Sequence, residues 1–296
     1  TETFASKGLH DVMDLCLECK GCKAECPSNV DMAKIKYEFL YNYYKTNKMP
    51  LRSKLFSRVN SLNKINAKIR PLYNFITSLP MTKWLADTVL GIDRRRTLPK
   101  INRITFPNWF KKHTSLNTDT TSQKEIVFFH DTFTDYNQVS VGVAAINILE
   151  KAGYKVSLAE NECCGRTMIS KGELGKAKDS ALDNINKLLP YAEKGIPIVG
   201  VEPSCILTLR DEYPELITNE KALLVANNTY LFDEFFSSLD LNQTNIEFKP
   251  DPSTVLFQTH CHQKALVGSK SLESCLRLIP ELSIQELDSG CCGMAG

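Results

Sequence analysis

The chain has 296 residues, 43% hydrophobic and 24% charged, with a formal net charge of +2; this composition excludes a disordered chain and suffices for a sizeable core in one large domain or two. No apolar run approaches the roughly 20 residues that cross a bilayer, and the N-terminus lacks the basic, apolar and small-residue order of an export signal. The expected compartment is therefore cytoplasmic, where eleven cysteines suit metal or redox chemistry better than structural cross-links.

Both ends read as cut. The chain starts at Thr1 and stops within CysCysGlyMetAlaGly, so a fragment of a longer protein is expected.

Residues 16 to 27, CLECKGCKAECP, set Cys16, Cys19, Cys22 and Cys26 in the pattern CxxCxxCxxxCP. Zinc sites more often pair two separated CxxC knuckles, whereas this is the bacterial-ferredoxin spacing, in which three cysteines wrap one corner of a 4Fe–4S cubane. Gly21 is expected to relieve the tight loop, and Pro27 to redirect the chain as it leaves. In two-cluster ferredoxins the cysteine before proline ligates the other cluster. Cys26 therefore has two candidate destinations, this cluster or one upstream.

A helix is predicted from near Asp31, whose carboxylate can cap free N–H groups. It places Tyr37, Tyr41 and Tyr44 on one face, to pack against the cluster segment or to meet a quinone. From Asp31 to His113 there are 18 Lys/Arg and 4 Asp/Glu, a local net charge of +14. Its amphipathic pieces predict short helices, and its charge suits a solvated face, an acidic protein or peripheral contact with an anionic membrane. Nucleic acid is not expected as a partner, because no recognisable binding motif accompanies the charge.

Beyond a polar linker (113 to 125), strand 126–129, helix 138–152, strand 154–158, helix 171–192 and strand 196–201 alternate. That order predicts α/β architecture with parallel pairs. Strand 255–257, helix 264–279 and strand 283–287 begin the cycle again. In the register of this repeat Thr132 matches Cys261, and each half then reads CysCysGly, at 163–165 and 291–293. A chance count of about 0.02 for that tripeptide makes two copies at matched offsets a strong signal.

A cysteine at a strand's C-terminal end sits at the rim where α/β folds place ligands. The adjacent pair can meet it there, with Gly165 and Gly293 allowing the sharp turn. Arg166 and a following helix N-terminus would stabilise thiolates. The first half offers Cys163, Cys164 and Cys205, with Thr132 in the leading position. The second offers Cys261, Cys291 and Cys292, flanked by His260 and His262. On a strand the two histidines would share one face, as ligands, proton donors or structural groups. Cys275 is expected to pack in mid-helix, and His10, His113 and His130 carry no signal.

These blocks together with GluProSerCys and HisCysHisGlnLysAla resemble the iron–sulfur portion of FAD-linked D-2-hydroxy acid dehydrogenases, including fused D-lactate dehydrogenases and the glycolate oxidase iron–sulfur subunit. The cysteine-rich CCG halves also resemble those of heterodisulfide reductase. The resemblance implies an upstream FAD domain or subunit that oxidises the hydroxy acid, a second cubane motif before Thr1, and more CCG domain after Gly296. It further implies a second iron–sulfur cluster, or zinc, at the CCG cysteines. The first half departs from the heterodisulfide reductase pattern at Thr132, and at Thr208 where a CxxC would end.

The expected fold is α/β: a small helical ferredoxin-like segment (1–48), a basic helical connector and linker (49–124), then duplicated CCG halves (125–217 and 218–296) with mainly parallel sheets. The expected function is electron transfer from flavin to a quinone or cytochrome. Disulfide reduction at the CCG cysteines, or a zinc-bound docking module, are the alternatives.

Overall fold

The computed structural model describes residues 6–114, 124–244 and 246–287. The cysteine loop lies between a helix Lys7–Asp14 and a helix Met32–Thr46, with one short turn of helix, Gly21–Glu25, inside it. Asp31 caps the long helix as its sequence predicts: Oδ1 accepts from the N–H groups of Ala33 at 3.0 Å and Lys34 at 3.2 Å, satisfying two otherwise unpaired donors. The expected tyrosine stripe is divided. Tyr37 is buried with Ile169, Leu174 and Ala177, whereas Tyr41 is exposed. Ala33, Lys36, Tyr37 and Leu40 take the i, i+3, i+4, i+7 positions of an inward stripe, and Phe39 is buried beside it. It packs against the CCG unit.

Four short helices follow, Leu51–Ser57, Val59–Lys68, Arg70–Ile76 and Pro80–Leu90. Proline in the first turn opens the last two, where its missing N–H costs nothing.

The next region is α/β. Strands β1 (Lys124–Phe128), β2 (Tyr154–Leu158), β3 (Ile198–Gly200) and β4 (Thr229–Leu231) form a sheet of order β2-β1-β3-β4 with every pair parallel. Ile126 and Phe128 enter one core with Ile146 and Leu149; Val127 and Phe129 enter the other with Ile185, Leu188 and Ile206. Period-two alternation with apolar side chains on both faces is what a sheet covered by helices on each side requires. β4 lies beyond residue 217 and extends the first sheet by pairing with β3.

The second half forms a separate parallel pair, β5 (Thr254–Phe257) with β6 (Ser283–Glu286). Where one helix is predicted over 264–279, two are found, Cys261–Leu266 and Lys270–Arg277. Gly268 breaks the run at φ 85°, a left-handed turn that glycine adopts without steric cost.

Candidate metal centre

In the N-terminal loop Cys16, Cys19, Cys22 and Cys26 are half-buried free thiols. Glu18 and Lys20 take left-handed backbone angles, φ 57° and 61°, so the strain expected at Gly21 falls on its charged neighbours. Such conformations persist when surrounding contacts over-determine them, and both side chains are buried in ion pairs described below. Backbone N–H groups approach the sulfurs, from Glu18 to Cys16 at 3.4 Å and from Met32 to Cys22 at 3.3 Å. Hydrogen bonds from the backbone of Val30, Ser28 and Asn29 pull the Cys26 thiol down from its usual value. Soft sulfur donors that already receive N–H groups fit an iron–sulfur cluster.

The first-half motif assembles at the C-terminal edge of the sheet. Thr132 opens the helix Thr132–Tyr136 after β1, Cys163 and Cys164 end the loop after β2, and Cys205 lies in the first turn of Pro203–Asp211 after β3. Gly165, at φ 81°, turns the chain into the helix Arg166–Ser170. The thiols form a chain, with Cys163 bonded to Cys164 and Cys164 to Cys205. Cys163 is pushed well above the ordinary thiol value by its bond to Cys164 and by burial. Cys164 is partly relieved by that bond, yet Cys205 and burial push it well up. Cys205 is partly relieved by Cys164, but burial and the nearby Asp131 and Glu202 carboxylates push it up to about 12. These sulfurs stay protonated unless positive charge arrives among them, and a bound metal supplies such charge. Among the described residues no group of three or more Cys, His, Asp or Glu side chains is gathered to hold a single metal ion.

Supporting groups surround the trio. Asn184 donates to the Cys163 carbonyl at 3.2 Å and to the Tyr213 hydroxyl at 2.8 Å, which donates to the Cys164 carbonyl at 3.0 Å. Thr132 donates to Asn60 Oδ1 at 3.1 Å, and both line a small polar cleft with Cys163, His130 and Asp135. His130, which carries no sequence signal, faces two acceptors, Asp135 at 2.8 Å and the Ala159 carbonyl at 3.0 Å. Burial opposes its charge, but Asp135 holds its pKa above the usual value.

In the second half, His260 and His262 do not lie on a strand. His260 caps the helix Cys261–Leu266, its Nδ1 accepting the His262 backbone N–H at 3.2 Å, and His262 is in the first turn. The strand β5 has already ended at Phe257, so helical spacing replaces alternation. His262 is buried and donates through Nε2 to the Glu18 carbonyl at 2.9 Å. Burial, then Arg166, pushes it down to about 3 and lowers His260 in the same way. His262 is therefore neutral at physiological pH. Cys261 is half-buried, Cys275 touches the Asp233 carbonyl at 3.5 Å, and Cys291, Cys292 and Gly293 lie outside the described residues.

Buried charges join the three motifs. The Arg166 guanidinium meets Glu18 at 3.2 Å and Glu212 at 2.5 Å. It is thus engaged by carboxylates rather than aimed at thiolates; the Arg166 backbone N–H faces Cys164 Sγ at 3.5 Å. Lys20, fully buried, reaches Asp211, Glu212 at 2.6 Å and Asp31 at 3.5 Å. Lys36 donates to the Cys16 carbonyl at 2.7 Å and lies 3.7 Å from Glu18. Burial holds the Glu18 pKa above the usual carboxylate value despite Arg166 and Lys36. Glu18 thus touches residues beside Cys164 and beside Cys261 while sitting between Cys16 and Cys19. A glutamate and a lysine inside the cysteine run are the one hint that sequence offers of this junction, since their partners lie some 150 to 240 positions away.

Residues 127–210 match the family model for the cysteine-rich domain CCG. Over 255 residues the chain is 32% identical to a subunit of the anaerobic glycerol-3-phosphate dehydrogenase of Escherichia coli (strain K12), covering 86% of this chain and 64% of that protein. It is 25% identical over 310 residues to D-2-hydroxyglutarate dehydrogenase of Pantoea ananatis (strain AJ13355), covering 99% of this chain and 30% of that protein. Lactate utilization protein A of Macrococcus caseolyticus (strain JCSC5402) is 27% identical over 181 residues, 58% of this chain and 71% of that protein. The chain therefore spans under two thirds of the glycerol-3-phosphate dehydrogenase polypeptide and under one third of the hydroxyglutarate enzyme. No solved structure matches it. The resemblance carried by the cysteine blocks holds: residues 127–210 are a cysteine-rich CCG domain, in a chain related to subunits and portions of dehydrogenases.

Proposed function

We propose that this chain is the iron–sulfur electron-transfer module of an FAD-linked dehydrogenase for D-2-hydroxy acids of the lactate or glycolate type. Its electrons would come from a flavin on a separate domain or subunit and leave to a quinone or cytochrome. The observation that carries the reading is the junction at Glu18, where the ferredoxin-type loop, the first CCG motif and the second-half HisCysHis segment meet. The name of the D-2-hydroxyglutarate dehydrogenase supports the substrate class, whereas glycerol-3-phosphate, named by the other relative, shares with it only an anionic secondary alcohol.

A 4Fe–4S cluster supplies one-electron redox chemistry when bound. Cys16, Cys19, Cys22 and Cys26 are the residues that would hold it, with Cys26 directed to this cluster or to one upstream. Cys163, Cys164 and Cys205 are the candidate ligands of a second cluster, and Cys261, Cys291 and Cys292 complete the candidate set. Backbone N–H groups at Cys16, Cys22 and Cys26 stabilise negative sulfur, the contact by which a protein tunes such a centre. Arg166, Lys20 and Lys36 balance the carboxylates of Glu18, Asp211 and Glu212, so the junction can exclude water without a large net charge. His262 orients the loop by donating to the Glu18 carbonyl. Disulfide exchange at the first half is disfavoured by the same geometry, because it needs an accessible sulfur and Cys163, Cys164 and Cys205 are buried.

Iron and acid-labile sulfide analysis with electron paramagnetic resonance on anaerobically prepared protein tests the reading. Iron and sulfide in matched amounts are expected, with the reduced-cluster signal lost in Cys19→Ser. Stoichiometric zinc without sulfide would overturn it.

A further inference from the structure

The fold sorts the charges of the cysteine module by sign. From Lys7 to Glu38 the sequence carries five lysines and six acids, in near balance. Four of the lysines turn inward: Lys20, Lys23, Lys34 and Lys36 reach Asp211, Glu212, Glu215 and Glu18, and none of these lysine side chains is more than 20% exposed. Of the acids only Glu18 and Asp31 follow them inward. Asp11, Asp14, Glu25 and Glu38 stay exposed, with Lys7 as the one exposed lysine of that stretch.

Large apolar side chains stand among those carboxylates. The helix Lys7–Asp14 buries no residue; Val12 on it is 63% exposed, and Leu15 at its C-cap 81%. Leu17 is exposed on the other side of Cys16, and Val30 and Ile35 are exposed where the helix Met32–Thr46 begins. None of these five contributes to the three hydrophobic cores. The four cysteines of the loop are only half-buried, so the same surface borders their sulfurs.

An apolar rim beside a redox-capable loop, with carboxylates around it, suits a transient protein contact: a small dry centre, and opposite charge that steers the approach and fixes orientation. Anionic lipid headgroups repel such a face, and a neutral quinone gains nothing from its charge. We propose that the surface formed by Val12, Leu15, Leu17, Asp11, Asp14 and Glu38 docks a basic redox protein, one whose own prosthetic group is ringed by lysine and arginine. The partner's cations meet the outward carboxylates, and its apolar centre covers Leu15 and Leu17. The purpose of the contact rests on the electron-transfer reading, but its test is binding and does not depend on metal content, so either can fail alone.

Binding of cytochrome c, a basic haem protein, is measured by calorimetry at low ionic strength, beside succinylated cytochrome c, whose lysines carry carboxylates instead. Circular dichroism verifies the fold of each variant. The expected result is binding of the basic form alone, falling steeply as salt is raised. Asp11→Lys, Asp14→Lys and Glu38→Lys together should weaken it on the order of tenfold, whereas Glu160→Lys with Glu193→Lys, at exposed acids of the CCG unit, should leave it unchanged. Leu15→Ser should weaken it with the salt dependence intact, the mark of an apolar contact. Equal affinity for the two forms of cytochrome c overturns the proposal, as does absence of binding by the folded chain, or a larger loss from the Glu160 and Glu193 pair than from the Asp11, Asp14 and Glu38 set. Iron and sulfide are measured on the same samples: docking by a chain that takes up neither sinks the electron-transfer reading and leaves the docking face standing.

Discussion

Arg166 ties together carboxylates from two distant parts of the chain, Glu18 and Glu212, and all three side chains are buried. Removing one partner of such a set strands the others without counter-charge, which costs far more than the intact set contributes. Arg166→Leu is therefore expected to lower unfolding free energy by about 3 to 5 kcal/mol in a urea titration, with Arg166→Lys recovering part of the loss. Asp211 governs the acid limb. Burial pushes its carboxyl up, but Lys20, Lys23 and Lys34 prevail and hold it well below the usual range. A depressed carboxylate contributes stability that is complete above the unfolded-state value, about 4, and is lost as pH falls through the folded value. Asp211→Asn should thus be less stable than the parent at neutral pH and show a shallower decline below about pH 4, measured by thermal melts across that range. Little of this network is legible in sequence, because a lysine and a glutamate within a cysteine loop read as solvated residues until their partners are known. The cysteines are legible as candidates because their spacing is local.

At the scale of elements, the docking of Met32–Thr46 on the CCG unit depends on Gly172. It adopts φ 73°, and a Cβ there would lie 2.7 Å from Leu40 Cβ and 2.8 Å from the Leu40 carbonyl carbon. Gly172→Ala is expected to destabilise by more than the roughly 1 kcal/mol of an ordinary glycine replacement, and to quicken amide exchange in that helix. Asp31→Ala removes the cap and should cost about 1 kcal/mol, with the fraying confined to the first turn. The strands β1, β2 and β5 and the cap at Asp31 are legible because apolar runs and capping residues act over a few positions. The split at Gly268 is harder to read, since a helical apolar pattern continues across it. The histidines follow the same lesson: their alternation suits a strand, but the strand stops three residues earlier and the helix start sets their directions.

For the whole molecule, the α/β class and the parallel pairing follow from the alternation of elements along the chain. The contribution of β4 to the first sheet is not visible in the repeat, because a three-residue strand leaves almost no periodic signal. The buried ion pairs also predict a global dependence. Deleting residues 1–48 removes Glu18, Lys20 and Lys36, leaving Arg166 with Glu212 and Asp211 without its cations. The remainder should unfold at a lower urea concentration than the whole chain.

The span between Lys20 and Asp211, 191 positions apart, also orders events at the ribosome. At about 5 to 20 residues per second, the four leading thiols emerge some ten to forty seconds before the carboxylates that will clasp their loop have been made. Throughout that interval the nascent loop lacks the carboxylates that grip Lys20, Lys23 and Lys34 in the finished fold, so its clasped geometry can be reached only after the anchoring helix has been synthesised.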